Sequence, residues 1–139
     1  MKYLLDTSAL IAHFRDEEGA EKLQDLFDSK EAQVLIASVS LPEFARRLRE
    51  LGMSEQESLH VLDQYLLVLE EVVPVDGTVA RGAFEILCKS SERLPLIDSL
   101  IAAAARSSDA ILIHRDRHMR AIPASMLTQL DLEGGKAED

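Results

Sequence analysis

Short unbroken apolar runs alternate along this chain with stretches of helical periodicity. Residues 2–5, Lys-Tyr-Leu-Leu, read as a buried strand. Asp6-Thr7-Ser8 then supplies capping residues ahead of Ala9-Leu10-Ile11-Ala12, a helix start. A second helix is predicted over about 18–29, where Ala20, Leu23, Leu26 and Phe27 recur at helical spacing. Residues 34–37, Val-Leu-Ile-Ala, form the second strand. Ser40-Leu41-Pro42-Glu43 opens a third helix, which Gly52 ends. Ser54 and Glu57 have the spacing of a capping box at the start of a fourth, whose Leu59, Leu62, Leu66 and Leu69 share one face.

Val72-Val73-Pro74-Val75 reads as a short extended piece, and its proline favours an edge or an end. Residues 77–92 look helical through Val79, Ala83, Ile86 and Leu87. Pro95 opens the next helix, Leu96 to Arg106. Residues 110–113 form the last clear strand, and Ser125-Met126-Leu127, after Pro123, is expected to add a short final one. Strands that are apolar throughout, separated by helices, imply a parallel sheet covered on both faces. The fold class is therefore α/β, a three-layer α/β/α sandwich around a central parallel sheet. No repeat or linker divides the chain. One domain is expected over 1–130, followed by a polar, disordered tail over 131–139.

Composition narrows the function. At 139 residues, with 47% hydrophobic residues, one domain with a substantial core is expected. The single Cys88 excludes an internal disulfide; its place on an apolar stripe with Phe84 and Leu87 predicts a buried, inert thiol. No apolar run approaches the length of a membrane span, and the N-terminus reaches Asp6 too soon for a signal peptide, so a cytoplasmic protein without membrane contact is the expectation. The net charge of -10 argues against broad nucleic-acid binding through a basic surface. A nucleic-acid substrate would have to be drawn in by metal ions and a local arginine cluster.

Four acids sit where acids are costly. Asp6 ends the first apolar strand, Glu43 lies in the opening turn of the third helix, Asp98 is set in Leu96-Ile97-Asp98-Ser99-Leu100-Ile101, and Asp116 follows Ala110-Ile111-Leu112-Ile113. In open α/β sheets, ligands bind beyond the carboxyl ends of the strands. Asp6 and Asp116 lie just past such ends, and the first turns of crossover helices can face the same edge. Converging carboxylates repel and take up protons unless a cation balances them. An all-oxygen donor set suits Mg²⁺ or Mn²⁺, one or two ions, and no Cys/His cluster suggests zinc. Two such ions, about 3.5–4 Å apart, can activate water and stabilise the leaving oxygen in phosphodiester hydrolysis. Each acid also has a plainer reading: Asp6 as a helix cap, Glu43 as the partner of Ser40 in a capping box, Asp98 as a favourable charge at a helix start, and Asp116 as a turn residue.

The ordered set resembles the PIN domain, in particular the VapC-type ribonuclease toxins of toxin–antitoxin pairs. Tyr3-Leu4-Leu5-Asp6-Thr7-Ser8-Ala9-Leu10-Ile11 is similar to that family's opening strand and first acid, Ser38-Val39-Ser40-Leu41-Pro42-Glu43 to its second-acid segment, Leu96-Ile97-Asp98-Ser99-Leu100-Ile101 to its third-acid helix, and Ile113-His114-Arg115-Asp116-Arg117-His118 to its last motif. The resemblance implies a PIN fold, Mg²⁺- or Mn²⁺-dependent endoribonuclease activity, and catalytic, metal-binding roles for Asp6, Glu43, Asp98 and Asp116. It implies that Thr7 or Ser8 orients Asp6 or touches a metal-bound water. It further implies an RNA substrate, a cognate antitoxin and a homodimer. The chain departs from the family pattern at His114, where Thr or Ser is usual, and at His118, where a further acid is common.

Arg115, Arg117 and His118 cluster beside Asp116 and are the expected phosphate contacts. Arg46 and Arg47, three and four residues after Glu43, are spaced to pair with it. Asp16-Glu17-Glu18 reads as a solvated loop and helix start, and the leucines of the fourth helix as core or dimer face. Two other functions compete with the nuclease. One is a catalytically weak PIN-fold module acting through RNA or protein contacts. The other is a phosphatase with Asp6 as nucleophile, disfavoured because Ser8 stands where a second acid would be needed.

Overall fold

A computed structural model describes residues 1–133 of the chain. Its elements run β1 (Lys2–Leu5), α1 (Thr7–Phe14), α2 (Ala20–Asp28), β2 (Gln33–Ala37), α3 (Ser40–Glu50), α4 (Glu55–Val68), β3 (Glu71–Val73), α5 (Gly77–Lys89), α6 (Leu96–Ser107), β4 (Ile111–His114), a 3-10 turn (Arg117–Ala121) and β5 (Gln129–Asp131). The five strands form one parallel sheet in the order β3-β2-β1-β4-β5. Helices cover both faces, as the apolar runs predict.

The period-two alternation of each strand divides the core in two. Leu4, Leu35 and Leu112 point into the layer shared with α5 and α6, where Val79, Ala83, Ile86 and Ala102–Ala105 are buried. Leu5, Ile36 and Ile113 point into the layer shared with α1–α4, around Leu10, Leu23, Phe44 and Leu48. Strands buried on both faces have no polar positions to spare, which is why they read as unbroken apolar runs.

The chain first builds outward from β1 to β3, then returns to place β4 on the other side of β1. This reversal opens a crevice at the carboxyl ends of β1 and β4, where Leu5 pairs with Ile113 and the Asp6 amide donates to the Ile113 carbonyl at 3.0 Å.

Several expectations need correction. The last strand is Gln129–Asp131, not 125–127: Met126 and Leu127 are drawn into the core, and the Met126 amide turns back onto the Pro123 carbonyl. The ordered domain also passes residue 130. Asp131 ends β5, and Leu132 is buried against Gly19, whose backbone (φ +95°) and missing Cβ leave room for it. Of the expected tail, residues 134–139 lie outside the described residues. Cys88 is exposed, on the solvent side of α5 with Phe84, because Ala83, Ile86 and Leu87 supply that helix's inner face. Helix α4 has the predicted Ser54–Glu57 capping box. The four leucines predicted to share a face, however, divide: Leu69, the cap residue after the helix, is buried, Leu62 and Leu66 are half-buried, and Leu59 is 48% exposed. No helix among the described residues is long and apolar enough to cross a membrane.

Candidate functional site

All four acids picked from the sequence line one cleft of about 420 Å³ at the crevice. Thr7, Ser8 and Arg115 line it too; Arg117 does not, and His118 stands beside it against Asp116.

Asp6 is buried and caps α1: its Oδ1 accepts from the Ala9 amide at 2.8 Å and from Ser8 Oγ at 2.7 Å. The cap and the site acid are thus the same residue, and both contacts hold one oxygen in place. Ser8 Oγ in turn accepts from the Arg115 amide at 2.9 Å, tying the β1–α1 turn to the segment after β4. Ser8 therefore ties the oxygen of Asp6 to the backbone beyond β4. Thr7 does something else: its hydroxyl donates a short hydrogen bond to Glu43 Oε1. Glu43 is not in a capping box; Val39 is the cap residue of α3, without a side-chain bond, and the Ser40 hydroxyl is buried without a partner.

Asp98 lies in the first turn of α6, and Asp116 caps the 3-10 turn, accepting from the His118 amide at 2.9 Å. The His118 ring repeats the contact, Nδ1 to Asp116 Oδ1 at 2.9 Å. Ligand-capable atoms of Asp98, Asp116 and His118 all lie within 4.8 Å of one another. His114 is buried, and its Nδ1 accepts from the Asp116 amide at 3.2 Å. Burial holds its pKa below the usual histidine value, so the ring is neutral and able to accept.

The electrostatics follow from this crowding. Burial pushes Asp6 up to about 7, with Asp116 and Glu43 adding to the rise and the Ser8 and Ala9 bonds opposing it. Burial and the adjacent Asp116 also raise Asp98. For Asp116 burial acts in the same sense, but the His118 amide, Asp98 and the His118 ring outweigh it and lower its pKa. Asp98 is thus held toward its protonated form and Asp116 toward its ionised form, the split expected of two facing carboxylates. Carboxylates held by fixed hydrogen bonds, yet kept from full ionisation by one another, are a donor set suited to a hard divalent cation.

Sequence reasoning missed the cleft's outer rim. Glu17, read as a solvated loop residue, pairs with Arg115 at 3.1 Å and with Arg15 at 3.7 Å. Glu50 also lines the cleft and holds Arg47 at 3.4 Å, so Arg47 does not pair with Glu43. Residues 17 and 115 are 98 positions apart, and no local pattern announces their contact.

Comparison with known proteins agrees with this arrangement. The fold is similar to that of VapBC2 from Rickettsia felis bound to a promoter DNA fragment, at TM-score 0.75 and 21% identity over 94% of this chain and 98% of that one. It is similar to DNA-bound VapBC from Salmonella typhimurium, at TM-score 0.73 and 21% identity over 95% and 98% of the two chains. It also resembles VapBC-1 from nontypeable Haemophilus influenzae, at TM-score 0.74 and 17% identity over 96% and 99%. No curated protein matches the sequence itself. The PIN domain family matches residues 3–124, a span that takes in all four acids and every strand but the last. Sequence match, sheet order and the acids gathered beyond β1 and β4 agree, and the chain belongs to the PIN domain family.

Proposed function

We propose that this chain is a metal-dependent endoribonuclease, the toxin of a type II toxin–antitoxin pair. The observation that carries the reading is the gathering of Asp6, Glu43, Asp98 and Asp116 in one cleft at the switch point of the sheet. In this reading the four acids hold Mg²⁺ or Mn²⁺, one or two ions. A bound dication supplies Lewis acidity at the scissile phosphate and a more acidic attacking water.

The chain's own residues do the rest. Ser8 and the Ala9 amide fix one oxygen of Asp6, and Thr7 fixes one of Glu43, so the carboxylates need little reorganisation to bind. Asp98, the acid held toward its protonated form, would bind the cation as the carboxylate. Arg46, Arg47 and Arg115 line the rim and meet the phosphate backbone, which offsets the net charge of -10 locally. Arg117 meets the backbone outside the cleft, and His118 stands at the cleft's edge against Asp116. Hydrolysis adds the water oxygen to phosphorus and breaks the bond to the 3′ oxygen, which takes the proton. The products carry 5′-phosphate and 3′-hydroxyl ends.

The protein partner in this reading is a cognate antitoxin, and the toxin is a homodimer. Support comes from apolar surface: Phe14, Val61, Tyr65 and Val68 line a groove between α1 and α4, and Phe84 is exposed on α5.

The deciding experiment is cleavage of total RNA by the purified protein with Mg²⁺ or Mn²⁺, beside Asp98→Asn and an EDTA control. Cleavage that needs both the cation and Asp98 supports the reading. Equal cleavage in EDTA would overturn it, and RNA binding without cleavage would favour a binding module.

A further inference from the structure

We propose that His118 is a ligand of the cation in this chain, through Nδ1, and that Asp98, Asp116 and His118 together prefer a first-row transition-metal dication over Mg²⁺. This rests on the reading of the cleft as a cation site and specifies which ion it takes.

Three observations carry it. The first is distance. In an octahedral site with bonds of about 2.1 Å, neighbouring donors stand about 3.0 Å apart. His118 Nδ1 and Asp116 Oδ1 are 2.9 Å apart, and Asp98 completes a set within 4.8 Å. The second is redundancy. Asp116 Oδ1 already accepts from the His118 amide, so the cap is made without the ring. The ring's approach to the same oxygen is not needed for the turn. The third is exposure. The His118 side chain is 55% exposed, so the Nδ1 proton that now meets Asp116 can move to Nε2, where water satisfies it, and leave the Nδ1 lone pair to an ion.

The donor set then determines the ion. Carboxylate and water oxygens suit Mg²⁺ and Mn²⁺ alike, whereas an imidazole nitrogen favours the first-row transition dications, Mn²⁺ least and the later ones most. Replacing one carboxylate corner by imidazole tilts the site toward that series. His114 does not compete for this role, because its Nδ1 is taken by the Asp116 amide in the buried layer.

The test uses the full chain stripped of metal and titrated with Mn²⁺, with Mg²⁺ as competitor, by calorimetry. Pulsed electron paramagnetic resonance of the Mn²⁺ form reads directly bound nitrogen. The expected result is a nitrogen coupling in the wild type that is absent in both His118→Asp and His118→Gln. In His118→Asp, the ratio of Mn²⁺ to Mg²⁺ affinity should also fall by about tenfold or more, as a carboxylate restores the Mg²⁺ donor set. A wild type without nitrogen coupling, a coupling that survives in both variants, or an unchanged ratio in His118→Asp would overturn the proposal. RNA cleavage is read separately. Nitrogen-bound Mn²⁺ without cleavage keeps this inference and overturns the nuclease reading, and cleavage without bound nitrogen does the reverse.

Discussion

Ser8 links Asp6 to Arg115: its hydroxyl donates to Asp6 Oδ1 at 2.7 Å and accepts from the Arg115 amide at 2.9 Å. The first acid and the segment carrying the last are therefore held by one oxygen, although 107 positions separate residues 8 and 115. Neighbouring parallel strands bring the two turns together, and Ser8 fixes their spacing.

Ser8→Ala removes both contacts. The Arg115 amide loses its acceptor, and Asp6 loses a bond that favours its ionised form. A stability loss of about 1–2 kcal/mol is expected from the broken bonds. Urea unfolding should show it as a lower midpoint with unchanged slope. Mn²⁺ affinity should fall as well, and Ser8→Thr, which keeps the hydroxyl, should recover most of it.

Metal-free protein should lose stability as pH rises. The native state holds a proton on Asp6 up to about 7, while the unfolded chain releases it near 3.8. Between these values the native state binds more protons than the unfolded one, so stability falls with increasing pH and levels off above the native value. The raised Asp98 acts in the same direction. Thermal melts in EDTA at pH 5 and pH 8 should show the lower midpoint at pH 8. Adding Mn²⁺ should reverse the order, because the cation binds the ionised carboxylates. A flat profile in EDTA would contradict the crowding of charge around Asp6 and Asp98.

Asp98→Asn separates stability from function. The amide has no charge to lose to burial and no repulsion from Asp116. In EDTA at pH 8 the variant should melt a few degrees above the wild type, while RNA cleavage disappears and the stabilisation by Mn²⁺ shrinks. A variant less stable than wild type under those conditions would mean that Asp98 has a structural role beyond charge.

Much of this was legible in the sequence, for physical reasons that can be named. Strands buried on both sides must be apolar throughout, so β1, β2 and β4 announced themselves, and with them the acids just past the ends of β1 and β4. The β5 strand did not: its Gln129 and Asp131 are only partly buried at a sheet edge, and the apolar Met126 and Leu127 beside it serve the core from a turn. Cys88 and Leu59 were misread for the opposite reason. They sit at core spacing on helices whose inner faces were already supplied by other residues. Ser40 and Glu43 fit a capping box by spacing, yet Glu43 is drawn to Thr7 on another helix. Local spacing could not reveal that, nor the Glu17–Arg115 pair.

That pair allows a prediction with two opposite signs. Arg115 lines the cleft and is one of its proposed phosphate contacts, but its guanidinium is held by Glu17 at 3.1 Å, and its Nε is buried without a partner. Binding RNA through Arg115 requires breaking this contact, so Glu17 should act as a competitor for the phosphate. Arg115→Ala should weaken RNA binding across all sequences and reduce the slope of affinity against salt by about one counterion. Glu17→Gln should strengthen binding, because it removes the competing charge and leaves Arg115 in place. Fluorescence anisotropy with a labelled RNA, over a salt series and with Asp98→Asn as background to prevent cleavage, measures both. If Glu17→Gln weakens binding, Glu17 is instead holding Arg115 in its working position, and the double variant should then be no worse than Arg115→Ala alone.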